Sequence, residues 1–99
     1  MANTQTKLKE VKLFINGEYV ESSSQTLFEV KNPATQEIIA KVHEASFEDV
    51  DRACEAARQA FEEGPWRTMP LSERCAKIRR MAEIIIERKE ELARLEALD

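Results

Sequence analysis

The sequence predicts an α+β fragment: four short strands, two of them joined as a β-hairpin, and then two long helices. Three observations predict it. β-prone residues alternate through positions 11–43, an Asn16-Gly17 pair separates two such runs, and from position 47 onward apolar residues recur every three or four positions. The expected organisation is a loose polar tail over residues 1–10, strands within 11–43, one helix over 47–63 and a second over 70–99, all in one folded unit of 11–99.

The elements follow in order. Val11, Leu13 and Ile15 alternate with Lys12, Phe14 and Asn16, and Asn16-Gly17 then leads into Glu18-Tyr19-Val20. A two-residue type I′ turn needs positive φ at both central positions, which Asn-Gly tolerates best, so a hairpin is expected there. Residues 21–25 form a Ser-rich loop, 26–31 a third strand, Asn32-Pro33-Ala34-Thr35 a turn, and 38–43 a fourth strand. Ser46 is a good N-cap, with Asp49 three residues on completing a variant capping box. Val50, Ala53, Cys54, Ala57 and Phe61 give the first helix a narrow apolar stripe, and its small alanines leave room for the long helix alongside. Gly64 is expected as a left-handed cap before Pro65. A short connector, 66–69, precedes Pro70, which opens the long helix.

In that helix Leu71, Cys75, Ile78, Ala82, Ile85 and Leu92 fall on one stripe, while Ile84, Leu95 and Leu98 form a second. Glu48→Arg52, Glu73→Lys77 and Glu90→Arg94 have the four-residue spacing of supporting ion pairs. No Gly, Asn or Pro follows Leu98, and Asp99 opposes the helix dipole, so the polypeptide is expected to continue.

The balance of 15 Lys plus Arg against 19 Asp plus Glu gives no electrostatic footprint for nucleic acid or an anionic membrane. The first residues lack an apolar signal region and the longest aliphatic run is Ile84-Ile85-Ile86, so a cytoplasmic protein is expected. Cys54 and Cys75, without CxxC or Cys/His spacing, read as reduced thiols behaving as small hydrophobes. His43, the single histidine, is expected to be solvated or loosely paired beside Glu44. Gly17 and Gly64, the two glycines, form no phosphate-cradling loop. The Glu83, Glu87, Glu90 and Glu91 cluster reads as a wet helix face, and Trp66 as a packing anchor.

An ordered set of segments carries a resemblance. Leu13-Phe14-Ile15-Asn16-Gly17-Glu18-Tyr19-Val20, Asn32-Pro33-Ala34-Thr35, Ile38-Ile39-Ala40-Lys41-Val42, Asp49-Val50-Asp51, Ala56-Ala57-Arg58, Ala60-Phe61, Trp66 and Leu71-Ser72-Glu73-Arg74 are followed by Glu91-Leu92-Ala93 and Leu95-Glu96-Ala97-Leu98-Asp99. Together they resemble the N-terminal portion of the NAD(P)-dependent aldehyde dehydrogenase superfamily, most nearly its hydroxymuconic-semialdehyde and betaine-aldehyde types. The resemblance implies that this portion starts a Rossmann-like α/β cofactor domain, with NAD or NADP bound by the parent and not by these residues. It implies oxidation of an aldehyde through a thiohemiacetal, hydride transfer and thioester hydrolysis, with the nucleophilic Cys, the basic Glu and the oxyanion Asn in later sequence. Cys54 and Cys75 do not match the nucleophile motif. It also implies an incomplete structural site for a monovalent cation, formed by the Asp99 carboxylate and the carbonyls of Val30 and Lys31. Gln36 stands where many members have Gly, which leaves the type of that turn open.

Two functions follow as alternatives. The first is a non-catalytic scaffold of an aldehyde dehydrogenase, whose partner is the remainder of the parent chain and which alone either self-associates through Ile84, Leu95 and Leu98 or is only partly ordered. The second is a stand-alone interaction module dimerising through its long helix.

Overall fold

The computed structural model describes residues 9–99. Five strands come first: β1 Lys9–Val11, β2 Leu13–Ile15, β3 Glu18–Val20, β4 Leu27–Lys31 and β5 Ile38–His43. They are followed by α1 Phe47–Glu63, a 3₁₀ turn Pro65–Thr68, α2 Leu71–Glu87 and α3 Lys89–Leu98.

The first correction concerns β1. Lys9 and Glu10, assigned above to the tail, lie in a strand that pairs parallel with β5, Glu10 opposite Lys41 and Val11 opposite Val42. Opposite charges across a strand pair are favourable, but the pairing joins segments some thirty residues apart and leaves no local signature. The rest of the expected tail, residues 1–8, lies outside the described residues. β5 is the central strand of a three-stranded sheet ordered β1-β5-β4, with β4 antiparallel to it. Central position matches sequence: Ile38, Ile39, Ala40 and Val42 are all at least half-buried.

The hairpin forms a separate two-stranded sheet, with Leu13 opposite Val20, Phe14 opposite Tyr19 and Ile15 opposite Glu18. Asn16 has φ +54° and Gly17 φ +78°, the pair of left-handed values that a type I′ turn demands. On its exposed face the Phe14 and Tyr19 rings stack at a tilt of 52° with centroids 4.9 Å apart. At the β4–β5 turn the Asn32 side chain accepts from the Ala34 N–H at 2.9 Å, and the Gln36 N–H donates to the Asn32 carbonyl at 2.7 Å. Gln36 itself takes φ +63°, so the turn keeps a left-handed residue although the residue is not Gly; its side-chain amide donates to the Pro33 carbonyl at 3.0 Å.

α1 has the expected limits and its capping box. Gly64, however, is extended, with φ −74° and ψ 162°, and is not a left-handed cap. Glycine is needed for room: a Cβ there would lie 2.3 Å from the Ala60 carbonyl oxygen, which accepts the Gly64 N–H at 3.0 Å. The expected connector is the 3₁₀ turn, and Pro70 stands at the N-cap of α2 instead of inside it.

The long helix is interrupted. Arg88, with φ −103° and ψ 19°, separates α2 from α3. Three consecutive β-branched isoleucines crowd the preceding turn, and the Arg88 N–H is shared between the Ile84 and Ile86 carbonyls before the regular ladder resumes at Leu92. Glu90 and Glu91 then occupy the first turn of α3, where the new dipole favours them.

Packing departs furthest from expectation. α1 packs against β2 and the 3₁₀ turn, not along the long helix. The main stripe is open, with Leu71 67% and Ile78 56% exposed, and no apolar side chain among the described residues is fully buried. The Cα radius of gyration is 17.7 Å, against about 13 Å for a globular chain of this length. The expected pairs Glu48–Arg52, Glu73–Lys77 and Glu90–Arg94 do not form; Arg52 turns to Asp49, and the exposed pairs within the helices are Arg58–Glu62 and Arg80 with Glu83 and Glu87.

The two glycines supply a test by different physics. Gly17→Val should destabilise the chain by about 1–2 kcal/mol through left-handed strain. Gly64→Ala should cost about 1–3 kcal/mol through a backbone clash. Urea unfolding measures both, and a neutral Gly64→Ala would contradict the close approach.

Candidate functional site

The fully buried residues among those described are polar: Ser22 at 4%, His43 at 8% and Asp49 at 1% exposure. They meet where the 21–25 loop crosses the entry to α1. Ser46 precedes the helix in extended conformation, and its hydroxyl accepts the Asp49 N–H at 3.1 Å while the Asp49 carboxylate accepts the Ser46 N–H at 2.9 Å. The same carboxylate accepts from the Ser22 hydroxyl at 2.9 Å and the Ser23 N–H at 3.1 Å, and is closed by the Arg52 guanidinium. One anion therefore joins two segments that lie more than twenty residues apart.

The loop is shaped to reach it. The Ser22 hydroxyl accepts the Ser24 N–H at 3.1 Å, the Ser24 hydroxyl donates to the Glu44 carbonyl at 2.7 Å, and Gln25 turns the chain with φ +58°. His43 extends the cluster toward the sheet. Its Nδ1 accepts the Ser22 N–H at 3.2 Å and its Nε2 lies 2.7 Å from Glu10 Oε1. An accepting Nδ1 places the proton on Nε2, which donates to the Glu10 carboxylate. The expectation of a solvated ring beside Glu44 is thus corrected: His43 is buried and its carboxylate partner comes from β1, a strand invisible to local pattern. Serine, histidine and aspartate converge here, but Asp49 contacts Ser22 and not His43, so the arrangement lacks the relay of a hydrolytic triad and works as a structural tie.

The other expected residues are dispersed. Cys54 and Cys75 are free and exposed on α1 and α2, not packed as small hydrophobes. Glu83 and Glu87 are exposed and share Arg80, as befits a wet face. Trp66 is 44% exposed and lines a cleft of about 520 Å³ with Ala60, Phe61, Arg67 and Arg74. Val30 and Lys31 flank a register shift in the β4–β5 ladder, whereas Asp99 follows α3, whose main contacts are with α2. Among the described residues no group of three or more His, Cys, Asp or Glu side chains could hold a metal ion, and no helix is long and apolar enough to cross a membrane.

The Ser46 backbone N–H is the largest influence holding the Asp49 carboxyl well below the usual carboxylate range. Burial opposes it, and the Ser22 hydroxyl, the Arg52 guanidinium and the Ser46 hydroxyl add to the lowering. The unfolded chain therefore binds the more protons as pH falls below the ordinary Asp value of about 3.9. Stability from this carboxylate is complete above that value and is lost progressively beneath it. Circular dichroism should record α1 melting in that acid window. Asp49→Asn should be less stable at pH 7 and flatter with acid, and an unchanged acid profile would contradict the tie.

The chain is similar to known proteins. The aldehyde dehydrogenase family model matches residues 19–99. Cytosolic aldehyde dehydrogenase 1 of Elephantulus edwardii is 50% identical over 97 residues, which cover 97% of this chain and 19% of that protein. The structure of an NAD+ complex of aldehyde dehydrogenase from Bacillus cereus superposes with a TM-score of 0.87 at 52% identity, covering 92% of this chain and 18% of that one. Betaine aldehyde dehydrogenase from Staphylococcus aureus matches at 44% identity with a TM-score of 0.86, covering 89% of this chain and 17% of that one. The chain thus spans about a fifth of the length of these relatives, and by sequence and fold alike it belongs to the aldehyde dehydrogenase family.

Proposed function

We propose that these residues are the N-terminal scaffold of a longer NAD(P)-dependent aldehyde dehydrogenase and start its Rossmann-like cofactor domain. The observation that carries this reading is the superposition of 92% of the chain on 18% of the Bacillus cereus enzyme. It favours the scaffold over the stand-alone module. The parent oxidises an aldehyde, proposed to be of the hydroxymuconic-semialdehyde or betaine-aldehyde type; likeness to the Staphylococcus aureus betaine enzyme supports the second. A cytoplasmic location is supported by the cytosolic relative.

The two glycines do not form a phosphate cradle for a dinucleotide. Gly17 is the tip of a hairpin and Gly64 the end of a helix, so neither belongs to a glycine-rich phosphate loop. No step of the oxidation is therefore assigned to this chain. Its part is structural: α2 and α3 present apolar stripes that the remaining polypeptide covers. Without that cover the 99 residues self-associate, through Leu95 and Leu98, which are exposed, and Ile84, which is half-buried.

A monovalent-cation site is proposed at the Val30 and Lys31 carbonyls and the Asp99 carboxylate, completed by later sequence. Hard oxygen donors suit such an ion, and the register shift between Val30 and Lys31 interrupts the regular ladder at these carbonyls.

Two experiments bear on these proposals. The full-length enzyme should reduce NAD(P) with betaine aldehyde or a semialdehyde. The 99-residue chain should give no turnover and should sediment as an oligomer that Leu95→Glu dissociates; turnover by the short chain, or a compact monomer, would contradict the scaffold. Separately, potassium should raise the melting temperature of the full-length enzyme but not of its Asp99→Asn variant. An equal rise in both would remove Asp99 from the site.

A further inference from the structure

We propose that the cleft between the end of α1, the 3₁₀ turn and the start of α2 is the seat of a carboxylate side chain from the enzyme's remaining polypeptide. Arg74 and Arg67 clamp the carboxylate, while Trp66 and Phe61 cover its aliphatic stem. The inference rests on the reading of this chain as part of a longer enzyme.

Three observations converge on it. Arg74 Nε is a buried donor with no hydrogen-bond partner among the described residues. Buried donors in native proteins are almost always satisfied, so an acceptor is missing from this side chain's surroundings. Arg67 makes only a long contact, 3.4 Å, from its guanidinium to the Glu62 carbonyl. Neither arginine has a carboxylate within 4 Å among the described residues, and the side chain of Glu62, whose carbonyl Arg67 reaches, is engaged by Arg58 at 2.8 Å.

The shape of the cleft selects the source. Its volume of about 520 Å³ and its walls of Ala60, Phe61 and Trp66 would leave a small inorganic anion mostly surrounded by uncovered apolar surface. An Asp or Glu on a chain segment fits both parts, its stem against the rings and its oxygens on the guanidiniums. Arginine binds carboxylates best through two parallel N–H···O bonds. The pair of Nε and one terminal nitrogen of Arg74 forms such a fork when the side chain turns its covered Nε toward the cleft it lines.

An experimental structure of the wild-type full-length enzyme is the test, and it needs no variant. The expected result is an Asp or Glu from outside residues 9–99 of the same polypeptide with one oxygen roughly 2.8 Å from Arg74 Nε. A backbone carbonyl, a water, a buffer anion or a second copy's carboxylate at that nitrogen overturns the proposal, as does an empty cleft. A double-mutant cycle then pairs Arg74→Lys with the amide variant of the acid found, read as melting temperature. The two changes should be non-additive, the second costing little once the first is present; additive losses count against the seat. An enzyme without NAD(P)-dependent turnover would refute the proposed activity and leave the Arg74 distance unchanged. An active enzyme with an unfilled cleft would refute only the seat.

Discussion

The Asp49 carboxylate accepts hydrogen bonds from a loop residue hydroxyl, a loop backbone N–H, the helix cap and the guanidinium of its own helix. An anion withdrawn from water is tolerated only when its oxygens are satisfied, and here donors from residues 22, 23, 46 and 52 do so. The entry angle of α1, the path of the Ser-rich loop and, through Ser22 and His43, the placement of β1 against β5 all follow from this one group. Because the donors come from both sides of the β4–β5 hairpin, the cluster also fixes where α1 departs from the sheet.

That polar tie substitutes for a core that these residues do not contain. In an ordinary small domain apolar burial is the dominant favourable term. Here the apolar stripes of α2 and α3 remain at the surface and the chain is elongated. Such a distribution is what one layer of a larger domain looks like when described by itself, since a helix face finds its partner in a neighbouring layer. Family membership gives this physical reading a context: the relatives are about five times longer, and the stripes are the surfaces along which further structure can pack.

Local chemistry was legible in the sequence. Asn16-Gly17 marked the hairpin, Ser46 and Asp49 marked the start of α1, and alternation marked β4 and β5. What escaped was non-local or backbone-specific. β1 is set by a parallel pairing and by the Glu10–His43 contact, and neither leaves a periodic trace. Ser22 and Ser23 looked like a featureless polar loop because their role depends on an aspartate some twenty-six residues away. The Arg88 interruption follows three β-branched isoleucines, poor helix formers in sequence that a hydrophobic-stripe argument counts as favourable. Gly64 is needed not for a left-handed cap but for space beside the Ala60 carbonyl, which no local motif announces. The family resemblance, by contrast, was carried by the order of many weak motifs.

The polar cluster around Asp49, and not the long helix, should be the stable nucleus of these residues. Native-state hydrogen exchange on the Leu95→Glu chain, kept monomeric, addresses it directly. The slowest amides should be those of β5, the first turns of α1 and Ser22–Ser23, with α2 and α3 exchanging far faster. Slowest exchange in α2, with the Ser22, Ser23 and Ser46 amides unprotected, would contradict it.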